Sequence, residues 1–156
     1  LVRGLGHDIG FGGLHWVLFG LGAISGTYLW GWLADQLGFR AGLVMVFTAL
    51  ALGVALPVLE PAAWALIFSS LVVGAQPGFS AIISGRTHQI VGSAQMARVW
   101  RWMALTSGVF QAVGGYAYVT LFDATGNYTT LFLCGGAAMA TGALISSLPV
   151  SHQSRR

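Results

Sequence analysis

Five stretches of the chain, 16–33, 42–59, 62–85, 102–122 and 129–148, run for 18 residues or more without an Asp, Glu, His, Lys or Arg. A bilayer core about 30 Å thick is crossed by roughly 20 apolar helical residues. Each stretch therefore meets the length and polarity requirement of a membrane span. Strands of a membrane barrel would alternate apolar and polar residues over about 10 positions. Runs such as Ala65-Leu66-Ile67-Phe68 and Thr130-Leu131-Phe132-Leu133 do not alternate, so the spans are read as helices. The fold class expected is an all-α integral membrane bundle.

Composition removes the soluble alternatives. Charged residues make up 7% of the chain and hydrophobic ones 56%, whereas about a quarter of a soluble protein is charged. The net charge of +3 rests on seven arginines, with no lysine, and four acids. That is too sparse for a nucleic-acid surface. A soluble enzyme, a nucleic-acid binder and a disordered tail are excluded, and the lipid bilayer is the first partner. The 23 glycines suit close packing of membrane helices. The single Cys134 allows no internal disulfide. The chain opens with Leu1, and Arg3, His7 and Asp8 interrupt any signal-peptide pattern. It is read as a piece of a longer protein.

The connections 34–41, 60–61 and 123–128 are short, which places successive helices side by side and antiparallel. The longer stretch 86–101 is expected to contain a helix start at Ser93, a favoured N-cap residue, with Trp100 and Trp102 at the interface. Arg40, Arg86, Arg98, Arg101, Arg155 and Arg156 fall on one side and Arg3 alone on the other. The arginine-rich side is therefore expected to be cytoplasmic, with the C-terminus inside and Asp8, Glu60 and Asp123 outside. Five helices starting outside fit the loss of at least one preceding helix.

At the inner end of the first span stands Gly31-Trp32-Leu33-Ala34-Asp35-Gln36-Leu37-Gly38-Phe39-Arg40. Physically, Gly31 lets another backbone approach and Asp35 ends the helix, free to cap a neighbouring helix N-terminus. Gly38 permits a positive φ in a tight turn, and Arg40 faces the inner interface. The plain reading is a cytoplasmic turn with a positive-inside arginine.

The same run resembles the signature loop of the major facilitator superfamily (MFS), Gly-x-Leu-Ala-Asp-(Arg/Lys)-x-Gly-Arg-(Arg/Lys). Gly31, Leu33, Ala34, Asp35, Gly38 and Arg40 match, while Gln36 and Phe39 replace positions that are usually basic. A weakened copy followed by four more spans implies helices eight to twelve of twelve; helices two to six give the same topology. Arg3-Gly4-Leu5-Gly6, the stretch 16–22, Leu29-Trp30-Gly31, the stretch 53–59 with Pro57, and the stretch 74–81 are similar to the YbfB/YjiJ group of bacterial facilitator proteins, where they belong to the C-terminal half. The resemblance implies a partial transporter domain over 1–148 and a cytoplasmic tail over 149–156. It further implies a multi-pass protein of the bacterial inner membrane that moves a small solute by alternating access, with an N-terminal half as partner.

On that placement the first, third and fourth spans line the path and the second and fifth brace it from the lipid side. Gln76, ahead of Pro77, Gly78 and Phe79, and Gln111, with Ser107 before it and Gly114-Gly115 after it, are the mid-span polar residues. Pro77 should break the third helix and free carbonyls. A buried amide needs partners, so each glutamine serves as interhelical glue, as a substrate contact or in a gate. Ser25, Tyr28, Tyr116 and Tyr118 are weaker candidates, read first as packing residues or satisfied hydroxyls. Gly22-x-x-x-Gly26 and Gly74-x-x-x-Gly78 are ridges that permit close helix approach; Gly114-Gly115 is read the same way.

No ionisable residue falls at the midplane, so this part of the chain supplies no proton carrier. His7 and His15 lie outside or at the outer edge, and His88 and His152 inside. This distribution suits neither a metal pair nor a haem. No metal, cofactor or enzymatic activity is expected. The rivals to transport are a membrane scaffold and an inactive truncated remnant.

Overall fold

The computed structural model describes residues 9–149. The expectations for Arg3, His7, Asp8 and the greater part of the tail, with His152, Arg155 and Arg156, lie outside them. Every element among the described residues is helical: α1 (Ile9–Leu37), α2 (Phe39–Leu59), α3 (Ala63–Gly74), a 3-10 turn (Gln76–Gly78), α4 (Phe79–Val91), α5 (Ser93–Thr125) and α6 (Tyr128–Ser147). The third expected span is thus α3, the turn and α4 in succession. Four helical units, Gly10–Leu37, Phe39–Leu59, Ala63–Val91 and Tyr128–Ser147, are long and apolar enough to cross a membrane. The fourth expected span falls within α5. At 33 residues α5 is the longest helix, but Thr106, Ser107, Gln111, Thr120 and its glycines leave it less apolar than the others.

Two expected loops shrink to one residue each. Gly38 at φ 85° is all that separates α1 from α2, and Gly92 at φ 73° all that separates α4 from α5. Both take the backbone conformation that a side chain resists. At the other end Gly126, at φ 61°, closes α5 in the left-handed cap conformation. Asn127 then opens α6, its Oδ1 accepting from the Thr129 N–H at 2.8 Å. Ser93 is the first residue of α5 as expected, yet its side chain caps nothing; Gly92 turns the chain before a serine cap is needed. α1 runs on past Asp35 to Leu37, so the helix ends at the glycine and not at the acid.

The alternation of helices gathers Arg40, Arg86, Arg98 and Arg101 at one end of the bundle, while Glu60 and Asp123 stand at the other. The core lies where α1, α2 and the broken third span meet: Trp30, Ala34, Val46, Leu50, Ala75 and Ile82. The broadest interface joins α2 to α6, and the next joins α1 to α3. On α6, Gly142 lies under the Phe47 ring, where a Cβ would come within 2.8 Å of it. Gly136 faces the α2 backbone at Ala51. α5 has no buried residue and touches α4 and α6 only sparingly.

Candidate functional site between the broken helix and α5

The break in the third span is built from both sides. Pro77 has no N–H to continue the ladder, so the chain tightens. Ala75 N–H reaches back to the Leu71 and Val72 carbonyls at 3.0 and 3.2 Å, and Gly78 N–H to the Ala75 carbonyl at 3.3 Å. Opposite, α1 carries Gly22 and Gly26. A Cβ on Gly78 would sit 2.7 Å from the Gly26 carbonyl oxygen, and one on Gly26 would sit 2.7 Å from the Ala75 carbonyl oxygen. The two glycine ridges read from the sequence therefore pack on each other, backbone to backbone. One turn further along the same face of α1, the buried Trp30 donates its indole N–H to the Ala75 carbonyl at 3.1 Å. The Ala75 carbonyl, which keeps only the 3.3 Å bond from Gly78 N–H within the break, thereby gains a second donor from the neighbouring helix. Sequence reasoning passed over Trp30, although its spacing of four from Gly26 and eight from Gly22 was the available signal.

Beyond the break, α4 and α5 diverge to leave a cleft of about 260 Å³, with Phe79, Ser80 and Ile83 on one wall and Trp100, Met103 and Ser107 on the other. The wall is mostly hydrocarbon. Ser80 donates its hydroxyl to the Pro77 carbonyl and Ser107 to that of Ala104, each at 2.9 Å, so both oxygens face the cleft as acceptors. Gln76 stands one turn above Phe79, and Gln111 one turn above Ser107; both are exposed. Counted from Gly92, Gln76 is 16 residues away and Gln111 is 19, heights of about 24 and 28 Å at 1.5 Å per residue. The two amides thus stand one turn beyond the lined part of the cleft and within about one helical turn of each other in height, each able to donate and to accept. Neither is buried against another helix among the described residues.

The other candidates are dispersed. Ser25 is exposed, and its hydroxyl donates back to the Leu21 carbonyl at 2.8 Å. Tyr28 and Tyr116 are 79% and 74% exposed, outside the lining of this cleft. Tyr118 lies on the bundle-facing side of α5 with Gln111, in a smaller pocket shared with Val54 and Phe132. Gly114 and Gly115 have open space around them, where close packing was expected.

In the signature loop, Gly38 has the expected positive φ. Gly31 has nothing within 4 Å of where a Cβ would be, so no backbone uses the space. Asp35 is exposed and caps no helix among the described residues. Arg40 reaches across to donate to the Ser147 carbonyl, tying the start of α2 to the end of α6. Phe39, which departs from the signature, lies over Gly85 of α4, in space that a Cβ there would fill. Packing on α4 accounts for an aromatic ring at a position that is usually basic.

His15 falls on the second turn of α1, because the helix begins at Ile9. Its Nδ1 is 2.7 Å from Ser70 Oγ on α3, and its ring meets Phe11 edge to face at 4.7 Å. His88 is exposed in the last turn of α4. Among the described residues, no three histidine, cysteine or carboxylate side chains are grouped to hold a metal ion.

Membrane-length helices alternating in direction, one of them broken at mid-span beside a largely apolar cleft, define a multi-pass membrane protein. The chain belongs to the MFS-type transporter family described as "Uncharacterised MFS-type transporter YbfB", which matches residues 2–147. No curated protein and no solved structure matched it. The protein is therefore a transporter of the MFS kind.

Proposed function

We propose that this chain forms one wall of an alternating-access pathway for a small, uncharged or charge-compensated solute. On this reading it supplies helices eight to twelve of a twelve-helix carrier of the bacterial inner membrane. Its arginine-rich end lies in the cytoplasm, and the opposing wall comes from the N-terminal half. One observation supports the reading: the third span breaks at Gln76–Gly78 beside a cleft lined by Phe79, Ser80 and Ser107, with the exposed amides of Gln76 and Gln111 one turn beyond Phe79 and Ser107. Polar groups beside a discontinuous helix are what a midplane solute site requires. Gln76, Phe79, Ser107 and Gln111 contact the solute. Gly31, Asp35, Gly38 and Arg40 belong to the cytoplasmic gate.

The test is cysteine accessibility in the full-length protein, in a cysteine-free background with Cys134→Ser. Gln76→Cys and Gln111→Cys should react with a membrane-impermeant maleimide from either side of the membrane. Leu144→Cys, on an exposed face of α6, should react from neither. Glutamine positions as inert as Leu144 would sink the reading.

A further inference from the structure

A further opening, separate from the cleft, runs along the α2–α6 interface as a groove of about 430 Å³. Val44, Thr48 and Leu52 line it from α2, and Ala140, Leu144 and Ser147 from α6. Its few polar atoms are turned inward on their own helices. The Thr48 hydroxyl donates to the Val44 carbonyl at 2.7 Å and that of Ser147 to the Leu144 carbonyl at 2.6 Å. What remains is a hydrocarbon trough.

Val44, Thr48 and Leu52 form one row along α2, spaced by four, and Arg40 is the next position down that row. The guanidinium is fixed there by its hydrogen bond to the carbonyl of Ser147, itself a lining residue. A guanidinium has five N–H donors, and Arg40 is exposed, so donors remain for a ligand. The first turn of α2 begins at the same end with no side-chain cap and no acidic residue, so its N–H groups carry no side-chain acceptor. Asp35, one turn before Gly38 on α1, makes no ion pair with Arg40. From Val44 to Leu52 the trough extends about 12 Å along α2, within one leaflet's half of a core about 30 Å thick, and Arg40 stands one turn beyond it.

We propose that this groove binds one anionic glycerophospholipid of the leaflet on the arginine side. An acyl chain lies along Val44, Thr48 and Leu52 against Ala140 and Leu144. The phosphate rests on Arg40 and the first-turn N–H groups of α2. Among the described residues no carboxylate lines the groove to receive the cationic group of a zwitterionic headgroup, so net negative lipids are selected. An arginine near the membrane surface favours an anionic lipid by about fivefold. The proposal does not depend on the transport reading.

Native mass spectrometry tests it, with the full-length protein in neutral detergent titrated with dioleoylphosphatidylglycerol or dioleoylphosphatidylcholine. The first glycerol lipid should bind about fivefold more tightly than the first choline lipid. Arg40→Gln should bring the two to parity. Ala140→Phe, which fills the trough from an exposed position, should weaken both. Arg98→Gln, at the same end but on α5, should change neither. Glycerol phosphate without acyl chains should not compete. Equal binding of the two lipids to the unaltered protein would overturn the proposal. So would a preference that survives Arg40→Gln, or glycerol-lipid binding undiminished by Ala140→Phe. Should Arg40→Gln fail to purify, the groove variant decides the matter alone.

Discussion

Where α1 crosses α3, no side chain holds the two backbones apart; where α5 stands beside α4, a gap is left open. The two regions use similar residues. Gly22 and Gly26 on α1 face Gly74, Ala75 and Gly78, and a Cβ on any of these glycines would run into the opposite backbone. Gly108, Gly114 and Gly115 on α5 meet nothing within 4 Å. Small residues in a membrane helix therefore mark one of two opposite things, a surface that must be touched or a surface kept clear. Only the partner decides which. In this bundle the sealed crossing holds the broken helix in place, and the open face beside it presents Gln76, Ser107 and Gln111.

The largest effect should come from breaking the sealed crossing. Gly26→Val places methyl groups where the Ala75 backbone already lies, and neither helix can yield without losing the Trp30 latch. The expected cost is at least about 3 kcal/mol, seen as a loss of folded protein from the membrane and a lower thermal unfolding midpoint in detergent. The matching change on the open side, Gly114→Val, should stay within about 0.5 kcal/mol. Comparable losses at the two positions would show that the contrast between the regions is false.

That contrast also marks how far the sequence could be read. The ridges at Gly22-x-x-x-Gly26 and Gly74-x-x-x-Gly78, the break at Pro77 and the positive φ at Gly38 were all legible, because each is dictated by residues within one turn of the chain. The fate of Gly114-Gly115 was not, because its local pattern is the same and the absence of a partner is a property of the whole bundle. The same reason hides the seat of Phe39 on Gly85 and the indole bond from Trp30 to Ala75, which join residues 46 and 45 positions apart. For the site, of the residues picked out by polarity and by the Pro77 break, Phe79 and Ser107 line the cleft, while Gln76, Gln111, Ser25, Tyr28 and Tyr116 are exposed outside its lining, a distinction that residue type alone does not carry.

A smaller effect should follow from loosening the crossing without forcing it apart. Trp30→Phe keeps a ring in the core but removes the donor to the Ala75 carbonyl. That carbonyl retains its 3.3 Å contact from Gly78 N–H, so it is left under-satisfied and not orphaned. The expected loss is about 1 kcal/mol. Hydrogen exchange should quicken at Gly78 and Phe79 and stay unchanged in α6. An unaltered exchange pattern would mean that the indole bond contributes nothing to holding the break.

The smallest effect has the most informative sign. Gly115 is in the interior of α5, in helical geometry, with open space where a Cβ would go. Replacing glycine by alanine inside a helix removes unfolded-state freedom and is favourable by about 0.5–1 kcal/mol when nothing collides. Gly115→Ala should therefore raise the unfolding midpoint of the full-length protein slightly, with Gly22→Ala as the opposed case, where the added carbon meets the Leu71 carbonyl and the midpoint must fall. If Gly115→Ala also lowers the midpoint, another helix of the intact protein lies against α5 at backbone distance. The face beside Gln111 would then be a second sealed crossing and no longer the clear side of a path. If it raises the midpoint, the glycines of α5 are there to keep the wall beside Gln111 low, and the difference between the two regions is the difference between a joint and a passage.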